Sequence, residues 1–168
     1  MPAQQGGERE RERETENGFD DDSTDCRKLG STGREVSVLG FGASALGGVF
    51  HDVTDEECIA VVHTALKSGI NVIDTAPWYG QGRSEEMLGK ALKGIPRNAY
   101  MLNTKVGRYE QEVENMFDFS AERITRSVDE SLARMGVDYI DCIQVLSRVF
   151  CARCIASSIR KRRNASET

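Results

Sequence analysis

The sequence predicts an α/β fold built on a parallel sheet, and two observations carry that prediction. Between residues 28 and 146, strand-like and helix-like segments alternate in the order hairpin, β, α, β, α, β, α, β. Such alternation is typical of parallel strands joined by right-handed helical crossovers. In addition, two of the strand-like segments run directly into polar residues, as parallel strands do where their carboxyl ends form a site. A doubly wound sheet and a β/α barrel both fit this pattern.

The predicted folded part opens with a hairpin. Turn-forming residues at 29–33 separate two apolar runs, which is the pattern of a short hairpin. Residues 36–41 are the first predicted strand of the sheet, and Gly42 and Ser44 follow it, with a glycine pair at positions 47 and 48. Closely spaced glycines let a ligand approach the backbone. The G-x-G that ends at Gly42 lacks the third glycine of a dinucleotide fingerprint, so a tight turn is the simpler interpretation.

Three amphipathic helices are predicted from their caps and their apolar spacing. Thr54 forms a capping box with Glu57 three residues later, and Gly69 supplies the stop. Ser84, followed by two acids, opens the second helix, and Ser120 opens the third. The third helix is predicted to pack through an apolar stripe made of Ile124, Val128, Leu132 and Met135.

Residues 71–80, NVIDTAPWYG, combine a buried strand with a polar loop and form the centre of the predicted site. The apolar run ends in Asp74, and a charged group at the end of a buried strand has to be paired, solvated or used. Residues 100–104 form the next predicted strand, which ends in Lys105. An acid, the Tyr79 phenol and an amine on neighbouring strand ends could therefore converge on one pocket.

The two ends of the chain differ in composition from its middle. Residues 1–27 form a predicted disordered acidic tail, because nine acids and three arginines among residues 1–25 leave almost no apolar surface to bury. Residues 28–146 are the predicted folded part, and residues 147–168 are a divergent basic tail. A short run of bases at a chain end is usually solvated, so no nucleic-acid partner is predicted.

Composition disfavours several other classes of protein. No run of eighteen apolar residues occurs and no apolar segment follows the first methionine, so neither a membrane span nor secretion is predicted. The five cysteines are an odd number without framework spacing, which favours reduced thiols in the cytoplasm. Cys151 and Cys154 have the spacing of half a zinc site, but no second pair exists, so no metal is predicted.

Residues 71–92, NVIDTAPWYGQGRSEEMLGKAL, together with Lys105, resemble the aldo-keto reductase superfamily. Residues 29–50, LGSTGREVSVLGFGASALGGVF, are similar to its L-galactose dehydrogenase-like branch. The resemblance covers residues 28–145 and implies the N-terminal half of a (β/α)8 TIM barrel with a hairpin at its base. It also implies an NADP- or NAD-dependent oxidoreductase that interconverts carbonyl and alcohol groups. The implied substrate is a small-molecule carbonyl or a sugar, such as L-galactose or another aldose.

The resemblance assigns catalytic roles to three residues. Tyr79 would be the general acid in reduction and the general base in oxidation. Lys105 would favour the phenolate form of Tyr79, and Asp74 would pair with Lys105 and hold it in place. Singly, these residues could be a packed aromatic, a surface amine and a turn cap. Together, at the family's spacing, they favour the functional interpretation.

The resemblance also implies where ligands bind. Gly42, Ser44 and Asp74 would lie next to the nicotinamide end of the cofactor, while Trp78 and Tyr79 would line the substrate pocket. A lone tryptophan is often only part of a core, so both interpretations of Trp78 stay open.

Two departures from the family favour an alternative function. A fourth predicted strand, residues 139–146, ends in Leu146, where the family places a histidine that orients the substrate carbonyl. A (β/α)8 barrel needs about 250 residues, and this sequence supplies four of the eight strands. The alternative is a truncated non-catalytic fragment or isoform of such an enzyme. Its open barrel edges would expose unpaired strands, so self-association is expected.

Overall fold

The computed structural model describes residues 25–146 of the chain. The strands are β1 (Cys26–Lys28), β2 (Glu35–Ser37), β3 (Phe41–Gly42), β4 (Val72–Asp74), β5 (Met101–Val106) and β6 (Cys142–Val145). The α-helices are α1 (Asp55–Lys67), α2 (Arg83–Ala91) and α3 (Ala121–Met135), and short 3-10 helices cover Ala43–Gly47 and Arg97–Ala99. Strands β3, β4, β5 and β6 form a parallel sheet in that order, while β1 and β2 form an antiparallel hairpin. The predicted α/β class, with a hairpin, four parallel strands and three helices, is confirmed.

The boundaries of the hairpin differ from the predicted ones. The predicted acidic tail reaches residue 27, but strand β1 already begins at Cys26. The rest of that tail, residues 1–24, and the basic tail over residues 147–168 lie outside the described residues.

The single strand predicted over residues 36–41 is wrong, because the structure divides it between two sheets. Strand β2 ends at Ser37 and belongs to the hairpin, whereas β3 begins at Phe41 and belongs to the parallel sheet. The Ser37 hydroxyl donates to the Leu39 carbonyl at 2.7 Å, and its backbone N–H donates to the Asn71 side chain at 2.8 Å. These side-chain bonds replace the ladder that a continuous strand would have formed.

Helices α1 and α3 begin at their predicted caps. Thr54 and Glu57 form the capping box, with the Glu57 carboxylate accepting the Thr54 N–H at 2.9 Å. The Ser120 hydroxyl accepts the backbone N–H three residues on at 3.3 Å. The start of α2 differs from its prediction, because Gly82 with φ +95° is the cap and Ser84 is a fully buried residue inside the first turn.

The helices pack against one face of the parallel sheet, which we term the helix face. Its strand residues include Ile73 of β4 and Leu102 of β5, and both are buried. They join a core made of buried side chains from all three helices: Val62 and Leu66 of α1, Met87 and Leu88 of α2, and Met135 of α3. Successive strand residues point to opposite faces, so Asp74, Asn103 and Lys105 lie on the other side, which we term the open face.

Helix α3 packs through a different stripe from the predicted one. Its fully buried residues are Ser127, Ser131 and Met135, whereas Ile124, Val128 and Leu132 are only half-buried. The small serines accompany a close approach to α2, where a Cβ on Gly89 would lie 2.7 Å from the Arg134 carbonyl oxygen. Of the predicted stripe, Met135 alone is fully buried.

The hairpin is tied to the sheet at the amino ends of the strands. Asp141, which precedes β6, pairs with Arg34 of the hairpin and with Arg97, both at 2.6 Å. The same carboxylate accepts the backbone N–H of Leu102 at 2.8 Å. This network holds the end of the sheet opposite to the predicted site.

Candidate active site

Asp74 and Lys105 are brought together on the open face by adjacent strands. The register of β4 and β5 pairs Asp74 with Asn103, so Lys105 lies two residues further on the same face. Lys105 Nζ lies 2.5 Å from Asp74 Oδ2 and also donates to the Thr75 carbonyl at 3.1 Å. The Lys105 side chain is 11 % exposed and that of Asp74 is 36 % exposed, so the pair retains contact with solvent.

Asn103 is a member of this group that the sequence reasoning missed. Its side-chain amide donates to the second oxygen of Asp74, so both carboxylate oxygens are held. Asn103 is buried, and its own Oδ1 has no hydrogen-bond partner among residues 25–146. The signal was available, because Asn103 stands two residues before Lys105 and therefore on the same strand face.

Tyr79 lies in the loop after β4, close to the lysine. The Lys105 ammonium is 5.0 Å from the centre of the Tyr79 ring. The loop turns sharply there, with the Tyr79 N–H donating to the Ala76 carbonyl at 3.1 Å and the Ser84 N–H donating to the Tyr79 carbonyl at 3.2 Å. The three residues predicted as an acid, a phenol and an amine on neighbouring strand ends therefore lie together.

Two glycines fix the backbone of Tyr79. A Cβ on Gly47, at the end of the first 3-10 helix, would lie 2.7 Å from the backbone carbon and oxygen of Tyr79. A Cβ on Gly80, whose φ is +63°, would overlap the Gly47 carbonyl. At Gly47, the group that approaches the backbone closely is therefore the Tyr79 loop and not a ligand.

The buried hydroxyls of Ser84 and Thr75 connect helix α2 to the first 3-10 helix and to the loop after β4, beneath the site. The Ser84 hydroxyl of α2 donates to the Ala43 carbonyl at 2.7 Å and lies 2.9 Å from the Thr75 hydroxyl. The Thr75 N–H in turn donates to the Asn103 carbonyl at 2.9 Å. These bonds fix Thr75, whose carbonyl accepts from Lys105.

The residues predicted to touch the cofactor lie beside the same strand ends. Gly42 is paired with Asp74 in the register of β3 and β4, and it is exposed. No atom lies within 4 Å of the position that a Cβ on Gly42 would take. Ser44 follows in the 3-10 helix Ala43–Gly47 and is half-buried.

Trp78 is not simply a core residue, because a charged side chain covers its ring. The Arg108 guanidinium lies 3.8 Å from the Trp78 ring centre, and both side chains are half-buried. Arg108 follows the end of β5 and was not among the predicted site residues. The glycine and tyrosine that flank it in the sequence read as an ordinary loop, so no local pattern pointed to it.

Strand β6 completes the described part of the open face. Its register pairs Cys142 with Asn103 and Gln144 with Lys105. Burial raises the pKa of the Cys142 thiol, and the Asp141 and Asp74 carboxylates add to that effect. Leu146, which stands where the resemblance implies a histidine, is 36 % exposed and is held by its N–H to the Val106 carbonyl at 3.0 Å.

Residues 25–146 contain neither a candidate metal site nor a candidate membrane-spanning helix. No group of three or more His, Cys, Asp or Glu side chains in this part of the chain could hold a metal ion. None of its helices is long and apolar enough to cross a bilayer. The Cys151 and Cys154 pair lies outside the described residues.

Comparison with known proteins gives the same family as the motifs. The family model of the Aldo/keto reductase family matches residues 38–151. L-galactose dehydrogenase of Arabidopsis thaliana is 50 % identical over 121 residues, which cover 71 % of this chain and 37 % of that protein. The chain thus spans well under half of the length of this relative.

Solved structures agree on the fold. An aldo-keto reductase from Bacillus halodurans in its holo form matches with a TM-score of 0.63 and 40 % identity, over 73 % of this chain and 40 % of that one. An aldo/keto reductase from Klebsiella pneumoniae, solved with NADP and acetate, matches with a TM-score of 0.53 and 28 % identity, over 66 % and 35 % of the two chains. These findings confirm the resemblance that the sequence suggested and the barrel class that it implied. The chain belongs to the aldo/keto reductase family.

Proposed function

We propose that this chain carries the chemistry of an NAD(P)-dependent aldo-keto reductase, which interconverts carbonyl and alcohol groups of a small molecule. The observation that carries the proposal is the position of Lys105. Its ammonium lies 2.5 Å from the Asp74 carboxylate and 5.0 Å from the centre of the Tyr79 ring. A cation in such a position stabilises negative charge on a neighbouring phenol oxygen.

Each residue of the site has one role in this chemistry. Tyr79 donates a proton to the substrate oxygen in reduction and accepts it in oxidation. Lys105 stabilises the charge that develops on Tyr79, while Asp74 and the Thr75 carbonyl hold the ammonium in place. When bound, the nicotinamide cofactor supplies or accepts the hydride.

The residues for the nicotinamide end of NADP or NAD are Gly42, Ser44 and Asp74. The empty space around a Cβ position on Gly42 supports this assignment, because a flat ring can lie against bare backbone there. The relative from Klebsiella pneumoniae that was solved with NADP supports the cofactor class.

The substrate is a small carbonyl compound or a sugar, such as L-galactose or another aldose. The Arabidopsis thaliana L-galactose dehydrogenase, at 50 % identity, supports this choice. Trp78 and Tyr79 are adjacent in the loop after β4, and they would line the substrate side of the site.

A non-catalytic member of the family is the second candidate. Leu146 favours it, because an apolar side chain at the end of β6 cannot donate a hydrogen bond to a carbonyl oxygen. Its 36 % exposure leaves room for a substrate but offers no polar contact.

Turnover separates the two candidates. L-galactose oxidation by the purified 168-residue chain is followed by absorbance with NAD and with NADP. The first candidate predicts turnover that Tyr79→Phe reduces by about a hundredfold or more, because the proton donor is lost while the ring is kept. Turnover in Tyr79→Phe within a few-fold of the unmodified chain would remove Tyr79 from the mechanism. Absence of turnover in both proteins would favour the non-catalytic candidate.

The two edges of the described parallel sheet also support self-association. Strands β3 and β6 are the outer strands of the described sheet, so they carry unpaired backbone groups on one side. Two copies that meet at these edges would cover them. Light scattering is expected to give a mass above that of the 18.6 kDa chain, and a monodisperse monomer would contradict this.

A reducing compartment such as the cytoplasm is the proposed location. Among the described residues, Cys58 and Cys142 are free thiols. Burial raises the pKa of the Cys58 thiol, which is typical of a structural cysteine that does not react.

A further inference from the structure

Four cations lie over aromatic rings in residues 25–146, and three of them have a carboxylate partner. Each of the three makes an ion pair: Lys105 over Tyr79 pairs with Asp74, Arg97 over Tyr139 pairs with Asp141, and Arg123 over Tyr109 pairs with Glu130. Arg108 over Trp78 is the fourth, and no ion pair in this part of the chain includes it. A half-buried guanidinium without a counter-charge is the exception that needs an explanation.

The loop after β5 holds Arg108 in a fixed place. Arg108 forms an isolated antiparallel bridge with Phe117. The flanking residues are bonded across the same ribbon, with the Tyr109 N–H donating to the Met116 carbonyl at 2.8 Å and the Asp118 N–H donating to the Gly107 carbonyl at 3.2 Å. The guanidinium then lies 3.8 Å from the Trp78 ring centre. The contact is therefore fixed by the backbone on one side and by an indole ring on the other.

The Arg108 side chain also has unused hydrogen-bonding capacity. Its Nε is buried and has no partner among the described residues. A guanidinium presents a planar fork of donors, which matches the two oxygens of a carboxylate. One flat face of the Arg108 guanidinium lies against the Trp78 ring, so the N–H donors at the edge of the guanidinium are left for a ligand.

The positive charge of Arg108 lies beside the residues that are proposed to carry the reaction. Trp78 is the chain neighbour of Tyr79, and Arg108 follows Lys105 by three residues. Asp74 and Lys105 neutralise each other, so Arg108 adds a positive charge at the carboxyl ends of the strands that no ion pair among the described residues offsets. A site of this charge favours an anionic substrate over a neutral one.

We propose that Arg108 is a specificity-determining residue, which binds a carboxylate carried by the carbonyl or sugar substrate. The substrate class is then a sugar acid, such as a uronate, in preference to a neutral aldose. This inference rests on the proposed function for the reacting groups, but it concerns binding and does not require turnover. A phosphate group could use the same donors, so the test includes inorganic phosphate as a separate arm.

Trp78 is the one tryptophan of the chain, so tryptophan fluorescence reports on this contact alone. Sodium D-glucuronate is titrated into the full chain at constant ionic strength, with L-galactose and sodium phosphate as parallel titrations. Glucuronate is expected to change the emission saturably and to bind about tenfold or more tightly than L-galactose, since a charged hydrogen bond is added. No cofactor is present, so a failure here and a failure of turnover are separate results.

Two variants and a matched control decide the role of Arg108. Arg108→Gln is expected to abolish the preference for glucuronate, and Arg108→Lys to keep part of it, because charge remains while the planar fork is lost. Arg123→Gln is the control, since Arg123 also lies over a ring but already pairs with Glu130. It is expected to leave the glucuronate titration unchanged. Far-ultraviolet circular dichroism confirms that each variant is folded.

Several outcomes would overturn the proposal. The first is that the unmodified chain shows no saturable response to glucuronate. The second is that the chain binds glucuronate and L-galactose with equal affinity. The third is that a folded Arg108→Gln variant binds glucuronate as tightly as the unmodified chain. Tighter binding of inorganic phosphate than of glucuronate would reject the carboxylate assignment.

Discussion

Strand β5 carries a charged network on each of its two faces, and the two networks differ in what surrounds them. On the helix face, the Thr104 hydroxyl donates to Glu85 at 2.6 Å, and Arg134 of α3 pairs with the same carboxylate at 2.7 Å. Glu85 is completely buried. On the open face, Lys105 pairs with Asp74, whose side chain is 36 % exposed.

Because of this difference in surroundings, we assign stability to the network on the helix face and chemistry to the network on the open face. Glu85 is enclosed by α2, α3 and β5, so no ligand can reach it and its contribution is to hold these elements together. A buried charge of this kind is costly when its partner is removed. The Asp74 carboxylate keeps contact with solvent although Lys105 is buried, so this pair is expected to contribute less to stability than the Glu85 pair, and Asp74 stays accessible to a substrate or cofactor.

The largest effect on stability is expected from Arg134→Met. Methionine keeps most of the apolar stem, but Glu85 is left buried without its counter-charge. The free energy of unfolding should fall by about 3–5 kcal/mol, as for other broken buried pairs. Urea denaturation followed by circular dichroism measures it. A loss smaller than that of an exposed pair such as Lys90 with Asp55 would contradict the division between the faces.

A smaller effect is expected at Gly47, which packs against the Tyr79 loop. In Gly47→Ala the new methyl group would lie 2.7 Å from the Tyr79 backbone, and the main chain on both sides has to shift. Overpacking of this kind costs about 1–3 kcal/mol, and it should also displace Tyr79 and reduce any turnover.

Gly42→Ala is the matched control for the stability effect. Nothing lies within 4 Å of the added methyl group, so the variant should unfold at the same urea concentration as the unmodified chain. Equal destabilisation by the two alanines would show that the contact between Gly47 and the Tyr79 loop is not the cause.

The smallest effect concerns the α1 cap and depends on pH. The backbone N–H and the hydroxyl of Thr54 donate to Glu57 and hold the pKa of its carboxyl below the usual 4.5. A carboxyl with a lowered pKa in the folded state stabilises the fold above its unfolded pKa, and this is lost as the pH falls through the folded value. Glu57→Gln should therefore be less stable than the unmodified chain at pH 7 and should converge with it as the pH falls through the lowered pKa of Glu57. A difference that stays constant down to low pH would exclude the carboxylate as the source.

The sequence predicted the open face better than the helix face. Asp74 and Lys105 could be predicted because each ends a strand-like run, and Tyr79 because it lies in the loop directly after Asp74. Glu85 could not, because an acid in the first turn of a helix is explained by the helix dipole without any burial. Arg134 equally reads as a favourable charge in the last turn of α3.

Contacts between distant backbone segments could also not be predicted from the sequence. Gly47 reads as a flexible loop residue, and only the folded chain shows that the Tyr79 loop lies against it. The prediction of the apolar stripe of α3 was wrong for a similar reason. Hydrophobicity ranks Ile124 and Val128 above Ser127, but in the folded chain Ser127 is fully buried and the two apolar side chains are only half-buried.

The most direct test compares Asp74→Asn with Glu85→Gln in the same two assays, urea unfolding and L-galactose turnover. Asp74→Asn is expected to lower the free energy of unfolding less than Glu85→Gln does, because the Asp74 carboxylate is the more exposed of the two, while any turnover falls by at least an order of magnitude because Lys105 loses its partner. Glu85→Gln is expected to lose about 2–4 kcal/mol of stability, because Arg134 is left unpaired, and to retain turnover wherever it remains folded. Equal destabilisation by the two substitutions, or a larger loss in Asp74→Asn, would contradict the assignment of stability to the helix face and chemistry to the open face.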